Sequence, residues 1–155
     1  MMGDDFGSQN GPLVSPAAWE HFLGVGFAEY VELAKSYGVR VMHHTCGAVR
    51  SLIPLMIERG LDVLQSIQPE AQRMDPRGLK AEFGHQLSFH GGISIQQTLP
   101  FGSTQDVRNE VRDRIDALAP GGGYILCTSH NIQADTPVEN FRELLSGYRA
   151  YGRYS

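Results

Sequence analysis

Four short apolar runs alternate with helix-like segments along the chain, and this alternation constrains the fold more than any other feature. The runs start near Val39, Leu61, Gln86 and Tyr124. Between and around them the apolar residues fall at helical spacing, as with Trp19, Phe22, Leu23, Phe27, Tyr30, Val31 and Ala34 over 16–36, or Val107, Val111, Ile115 and Leu118 over 104–118. Ser15-Pro16, Asp75-Pro76, Ser103-Thr104 and the capping box Thr136-Pro137-Val138-Glu139 mark helix starts, and Gly38, Gly60 and Gly84 mark helix ends. A second helix over 48–59 is expected to bend or restart at Pro54. Strands alternating with helices predict a parallel α/β sheet. Both the doubly wound sheet and the (β/α)8 barrel fit the order of elements. Every strand runs into polar residues: His44-Thr45-Cys46, Gln65-Ser66-Ile67-Gln68, His90-Gly91-Gly92 and Thr128-Ser129-His130-Asn131. Barrels spread their chemistry over several strand ends in this way, whereas a doubly wound sheet gathers it at one switch point. The predicted fold is α/β, a (β/α)8 TIM barrel of which residues 1–155 supply roughly the last four βα units. Met1-Met2-Gly3-Asp4-Asp5 reads as the end of a buried strand entering a loop. An N-terminal half is therefore expected elsewhere, with the remaining half of the barrel or a homo-oligomer covering the open edges.

Charge and composition exclude several functions. The 155 residues hold 13 Lys+Arg against 17 Asp+Glu, a formal charge of −4. Without a basic field, nucleic acid is not expected as the partner. No apolar run approaches the ~18 residues of a membrane span. The opening MMGDDFGSQN has neither the basic start nor the apolar stretch of a signal peptide. The expected setting is the cytoplasm, off the membrane. Two cysteines cannot make a disulfide framework, so in a reducing compartment they read as packed thiols, nucleophiles or metal ligands.

The sharpest local signal is His44-x-Cys46 at one strand end with Cys127 at another. Zinc favours imidazole and thiolate, and three protein ligands leave a fourth position open to water or substrate. Two buried free cysteines give the same spacing. His130 fits a proton donor or carboxylate binder, or a loop histidine with a structural hydrogen bond. His90 stands beside Gly91 and Gly92, which either let an anionic ligand approach the backbone or only supply positive φ. His43 and His44 alternate on their strand, so one faces inward and the other the helices. Asp4, Asp5 and Gln9 suit binding of a polar substrate or orientation of a metal ligand, and equally a solvated turn. Gly121-Gly122-Gly123 precedes a strand instead of opening a helix and reads as a turn rather than a phosphate cradle. Arg108, Arg112 and Arg114, interleaved with acids, read as a solvated face.

Longer motifs go beyond pattern. These are His44-Thr45-Cys46-Gly47, Leu52-Ile53-Pro54, Glu58-x-Gly60-x-Asp62-Val63-Leu64, Gln68-Pro69-Glu70-Ala71, Leu79-Lys80-x-x-Phe83-Gly84 and Phe89-His90-Gly91-Gly92-Ile93. Further along come Gly121-Gly122-Gly123-Tyr124-Ile125, His130-Asn131-Ile132-Gln133 and Pro137-x-Glu139-Asn140. Together they resemble the C-terminal half of the uroporphyrinogen decarboxylase superfamily over nearly the whole chain, and Asp4-Asp5-x-Gly7-x-Gln9 fits the same family. The resemblance implies a (β/α)8 barrel and one of two chemistries. One is cofactor-free decarboxylation of porphyrinogen acetate side chains, a lyase reaction of porphyrin metabolism. The other is zinc-dependent methyl transfer between a corrinoid, supplied by a partner protein, and a thiol. By resemblance to the methyltransferase branch, His44, Cys46 and Cys127 would hold zinc. By resemblance to the decarboxylase branch, His130 falls where that enzyme's late-chain histidine lies near the substrate and is the candidate catalytic residue; Asp5, Gln9, Gln68, His90, Gly91, Gly92 and Asn131 are the candidates around a small-molecule substrate. The favoured expectation is the methyltransferase; the alternatives are the decarboxylase and a non-catalytic binding domain.

Overall fold

The computed structural model describes residues 1–153. Five strands, β1 (Met2–Gly3), β2 (Met42–His44), β3 (Val63–Ile67), β4 (Ser88–Ile93) and β5 (Tyr124–Thr128), form one sheet in the order β1-β2-β3-β4-β5. Every neighbouring pair is parallel. Right-handed crossovers between sequential neighbours put all the helices on one side of a sheet. A doubly wound sheet would need the order to reverse once, and here it does not. The fold is α/β, an arc of a (β/α)8 barrel with one strand more than the four predicted. The extra strand is β1, the strand end expected at Met1-Met2-Gly3, which pairs through Met2 against His43 and Gly3 against His44.

Local sequence explains most helix ends. α1 (Pro16–Phe22) starts where Ser15 Oγ accepts from Ala18 N–H at 3.1 Å. α4 (Pro76–Phe83) starts where Asp75 Oδ1 accepts from Gly78 N–H at 2.7 Å. α6 (Thr104–Leu118) opens with a reciprocal capping box between Ser103 and Asp106. The helix expected over 16–36 is two, because the chain breaks at Leu23 (φ −118°) before α2 (Gly24–Ser36). Two glycines in the first turn of α2, Gly24 and Gly26, weaken helical continuity there. The helix before β3 begins as a 3-10 turn over Arg50–Leu52 and continues as α3 (Ile53–Glu58), the restart expected at Pro54. A short α5 (Thr98–Phe101) follows β4. The capping box expected at Thr136 does not form: α7 (Val138–Tyr151) has Pro137 at its N-cap with no side-chain cap, and Thr136 Oγ1 is buried with no hydrogen-bond partner among the described residues. Gly121, Gly122 and Gly123 form the expected turn, all with positive φ.

The sheet register sorts the side chains into two rows. Met2, His43, Leu64, Phe89 and Tyr124 are aligned across the five strands on the helix side, where Leu64, Phe89 and Tyr124 join Trp19, Leu52, Ile53, Met56, Leu79 and Leu118 in the main core. Gly3, His44, Gln65, His90 and Ile125 are aligned one residue further on and face the concave side. Barrel interiors are ordinarily filled by bulky branched side chains; here three of the five are polar.

Candidate functional site

The loops after the strands are laid on one another by backbone contact. Asp4 N–H donates to His44 O (3.0 Å), Ala48 N–H to Ser8 O (2.7 Å) and Gln72 N–H to Gln9 O (2.8 Å). Gly7 and Gly47 meet with no room for a side chain: a Cβ on Gly7 would stand 2.5 Å from Cys46 O, and one on Gly47, whose φ is +81°, 2.5 Å from the Gly7 carbonyl carbon. This packing fixes the turn that carries Cys46. Asp5 Oδ1 accepts from Cys46 N–H at 2.8 Å and Gln68 Oε1 from Gly47 N–H at 3.0 Å, so Asp5 and Gln68 hold the same turn from either side.

Above it, His44 Nε2 lies 3.5 Å from Cys46 Sγ and 3.7 Å from Asp5 Oδ1. The His130 ring comes from beyond β5 to within 5.7 Å of the His44 ring, centroid to centroid. Ligand atoms of His44, Cys46 and His130 all fall within 4.8 Å of one another. A tetrahedral zinc with nitrogen at about 2.0–2.1 Å and sulfur at about 2.3 Å sets those two atoms about 3.5 Å apart, so the His44–Cys46 pair fits such an ion. Burial, reinforced by the Asp5 carboxylate, pushes the Cys46 thiol up to about 11. The thiol therefore stays protonated at neutral pH unless a cation binds it.

The trio differs from the His44, Cys46 and Cys127 set expected from sequence. Cys127 lines the same cavity, of about 640 Å³, with His44, Gln65, His130 and Asn131, yet it stands outside the cluster. The reason is reach. β2 and β5 are three strand spacings apart, about 14 Å along the sheet, and a cysteine rooted in β5 is short, whereas His130 sits past the strand end and leans back over the mouth.

A second cavity of about 310 Å³ adjoins the trio and is lined by Gln9, Cys46, Gly47, Gln68, Gln96 and His130 among others. Asp5, Gln9, Gln68, Asn131 and His130 are thus gathered at the strand ends. His90 lies in the concave row, its pKa lowered by burial and then by His44. Gly91 and Gly92 are not brought to either cavity. Their carbonyls accept from Tyr124 Oη (2.8 Å) and Arg114 Nε (2.7 Å), and a Cβ on Gly92 would meet Arg114 and Tyr124. His43 takes the helix side, stacked on Phe6 and edge-on to Phe27, and burial pushes it down to about 4, with His44 adding to the fall.

Three groups escaped sequence reasoning. Ser129 is buried, and its Oγ reaches Ile67 O (2.8 Å) and Ile93 O (3.0 Å), tying the ends of β3 and β4 to β5. Gln96 Oε1 accepts from Gln9 Nε2 at 3.0 Å across the second cavity. Arg114, expected on a solvated face, instead pairs at 2.6 Å with Glu110, which is only 8% exposed, and Glu110 in turn accepts from Ser94 N–H just past β4. Only the strand-end position of Ser129 offered a signal in the sequence.

The family model for uroporphyrinogen decarboxylase (URO-D) matches residues 1–151. No curated protein matches the chain. Among solved structures, a methyltransferase from Methanosarcina mazei superposes with a TM-score of 0.75 at 21% identity, over 97% of this chain and 41% of that one. The chain thus spans about two fifths of that structure's length, and the likeness bears on the fold. Among the described residues, no helix is long and apolar enough to cross a membrane.

Proposed function

Since the chain belongs to the uroporphyrinogen decarboxylase family, we propose that it is the C-terminal part of a barrel enzyme transferring a methyl group from a protein-borne corrinoid to a small thiol, with zinc held by His44, Cys46 and His130. The observation that carries this reading is the 3.5 Å separation of His44 Nε2 and Cys46 Sγ at the mouth of the concave face, with His130 beside them. When bound, zinc would supply Lewis acidity, under which a coordinated thiol is deprotonated near neutral pH.

The chain's own residues do the positioning. Asp5 and Gln68 clamp the Cys46–Gly47 turn through its N–H groups, so Sγ is presented to the cavity from a fixed backbone. Ser129 anchors the loop that delivers His130. Cys127, Gln65 and Asn131 wall the larger cavity, and Gln9 and Gln96 close one side of the smaller. The remaining barrel strands are to come from further polypeptide, whether the other half of the barrel or a second copy.

The test is zinc analysis joined to a methylcorrinoid demethylation assay with a thiol acceptor, using the complete barrel. Zinc near one equivalent and thiol-dependent demethylation, both lost in Cys46→Ser, are expected. Porphyrinogen decarboxylation that survives Cys46→Ser would instead favour the cofactor-free lyase.

A further inference from the structure

We propose that the cavity beside Cys46 holds the far end of the acceptor thiol, and that this end is an uncharged carboxamide read by the side-chain amides of Gln9, Gln68 and Gln96. The inference rests on the reading of the chain as part of a thiol methyltransferase and names the class of thiol. It starts from the cavity of about 310 Å³, which Cys46 and His130 line together with those three glutamines. A molecule whose sulfur lies by Cys46 and His130 has its other end among the amides.

The glutamines reach the cavity from the loops after β1, β3 and β4, and each amide is half used. Gln9 Nε2 donates to Gln96 Oε1 at 3.0 Å, and Gln68 Oε1 accepts from the Gly47 N–H at 3.0 Å. Those bonds hold the amides in place. Gln9 Oε1, Gln96 Nε2 and Gln68 Nε2 make no hydrogen bond among the described residues. Turning the Gln9 and Gln96 amides over exchanges their roles and still leaves one carbonyl and one NH2 open. Gln68 is only 8% exposed, so its NH2 belongs to the wall of the site rather than to the surface. The neighbouring hydroxyls are already engaged, Ser8 with Gly11 O and Ser129 with Ile67 O and Ile93 O. A carboxamide carries a donor and an acceptor together and satisfies both kinds of open group. A carboxylate or sulfonate only accepts, so it would set an oxygen against the Gln9 carbonyl. It would also lose water with no cationic side chain to meet it, since among the described residues lining the cavity none is Lys or Arg. Asp5, whose Oδ1 is 2.8 Å from Cys46 N, adds negative charge beside it. An ammonium only donates and would face the NH2 groups of Gln68 and Gln96.

The probes are methylthiopropionamide and methylthiopropionate, which differ only in the charged end. Both are already methylated at sulfur, so their binding is read on the whole 155-residue chain without metal. The chain carries 15N-labelled glutamine, and each side-chain signal is assigned by its loss in the corresponding Gln→Leu variant. The amide is expected to bind at least about tenfold more tightly than the carboxylate, the worth of one hydrogen bond, and to shift the NH2 signals of Gln68 and Gln96. Gln96→Leu, at an exposed position, should cut that preference about tenfold; should it fail to fold, Gln9→Leu takes its place. Carboxylate binding as tight as that of the amide, no binding of either, or amide binding that leaves the Gln68 and Gln96 signals unmoved overturns the inference. An amide preference in a chain that takes up no zinc overturns the zinc methyltransferase reading and leaves the carboxamide subsite standing. Thiol-dependent demethylation by the complete barrel that runs as well with mercaptopropionate as with mercaptopropionamide overturns the subsite and leaves that reading standing.

Discussion

His44 Nε2 and Cys46 Sγ stand 3.5 Å apart at the end of β2, one on the strand and one on the turn that follows, and Cys127 is not among the atoms gathered around them. X-ray absorption on the zinc-loaded protein should therefore show one sulfur at about 2.3 Å, with the other ligands nitrogen or oxygen at about 2.0–2.1 Å. Two sulfurs would place Cys127 in the first coordination sphere and displace His130.

His130 is exposed, its ring set against that of His44. His130→Ala should shift stability by less than about 0.5 kcal/mol, while zinc affinity falls further than the roughly 10–100-fold that loss of an outer-shell partner causes. Thermal melting beside a chelator titration decides. A melt lowered as by a core truncation, with metal binding intact, would make His130 structural.

Ser129→Ala removes one hydroxyl that serves two strand-end carbonyls, at 2.8 and 3.0 Å. Leaving such buried acceptors unpaired costs about 1–3 kcal/mol. Denaturant unfolding should show that loss, and Ser129→Thr, which retains the hydroxyl, should recover part of it.

Burial alone would raise the Asp62 carboxyl, but the Val41 N–H at 2.8 Å, Arg40 at 3.1 Å and Lys35 at 3.6 Å outweigh it and hold the pKa below the ordinary value. A depressed carboxylate stabilises the fold above the unfolded value of about 3.9, and that contribution is lost as pH falls through the folded value. Asp62→Asn should be less stable by roughly 1 kcal/mol at neutral pH, with the gap to wild type closing in acid. Urea midpoints measured from pH 7 to pH 3 test this; a gap that stays constant across the range would exclude it.

β1 and β5 each have one unpaired edge among the described residues, and α2 and α7 carry exposed Tyr30, Leu33, Phe141 and Leu145. Open edges invite further pairing. The 155-residue chain by itself should elute from size exclusion as an associated species, and a monomer with a sharp, cooperative melt would count against it.

Much of this architecture was legible in the sequence because it is written in short-range signals. Ser15-Pro16, Asp75-Pro76 and Ser103 fix helix starts through their own side chains, and the alternation of His43 with His44 follows from strand geometry alone. Long-range placement was not legible. Cys127 and His130 are three residues apart, and which of them reaches His44 depends on the distance between strands and on side-chain length. The Glu110–Arg114 pair looked like surface because i,i+4 charges usually are; only its contact with the end of β4 makes it buried. Thr136 has the sequence of a cap and does not act as one, since Pro137 takes the cap position.

The two aligned rows of the sheet make the strands sensitive to parity. Sliding β2 by one residue against β3 would carry His44 under the helices and turn His43 out beside Cys46, exchanging a polar lining for an aromatic-packed one at the cost of both. A slide of two would restore the facing but move every side chain one layer along the strand. Length changes in the loop before a strand are therefore harmless only where the loop absorbs them whole. In the turn after β2, where Gly7 and Gly47 touch backbone to backbone, there is no slack to absorb even one residue.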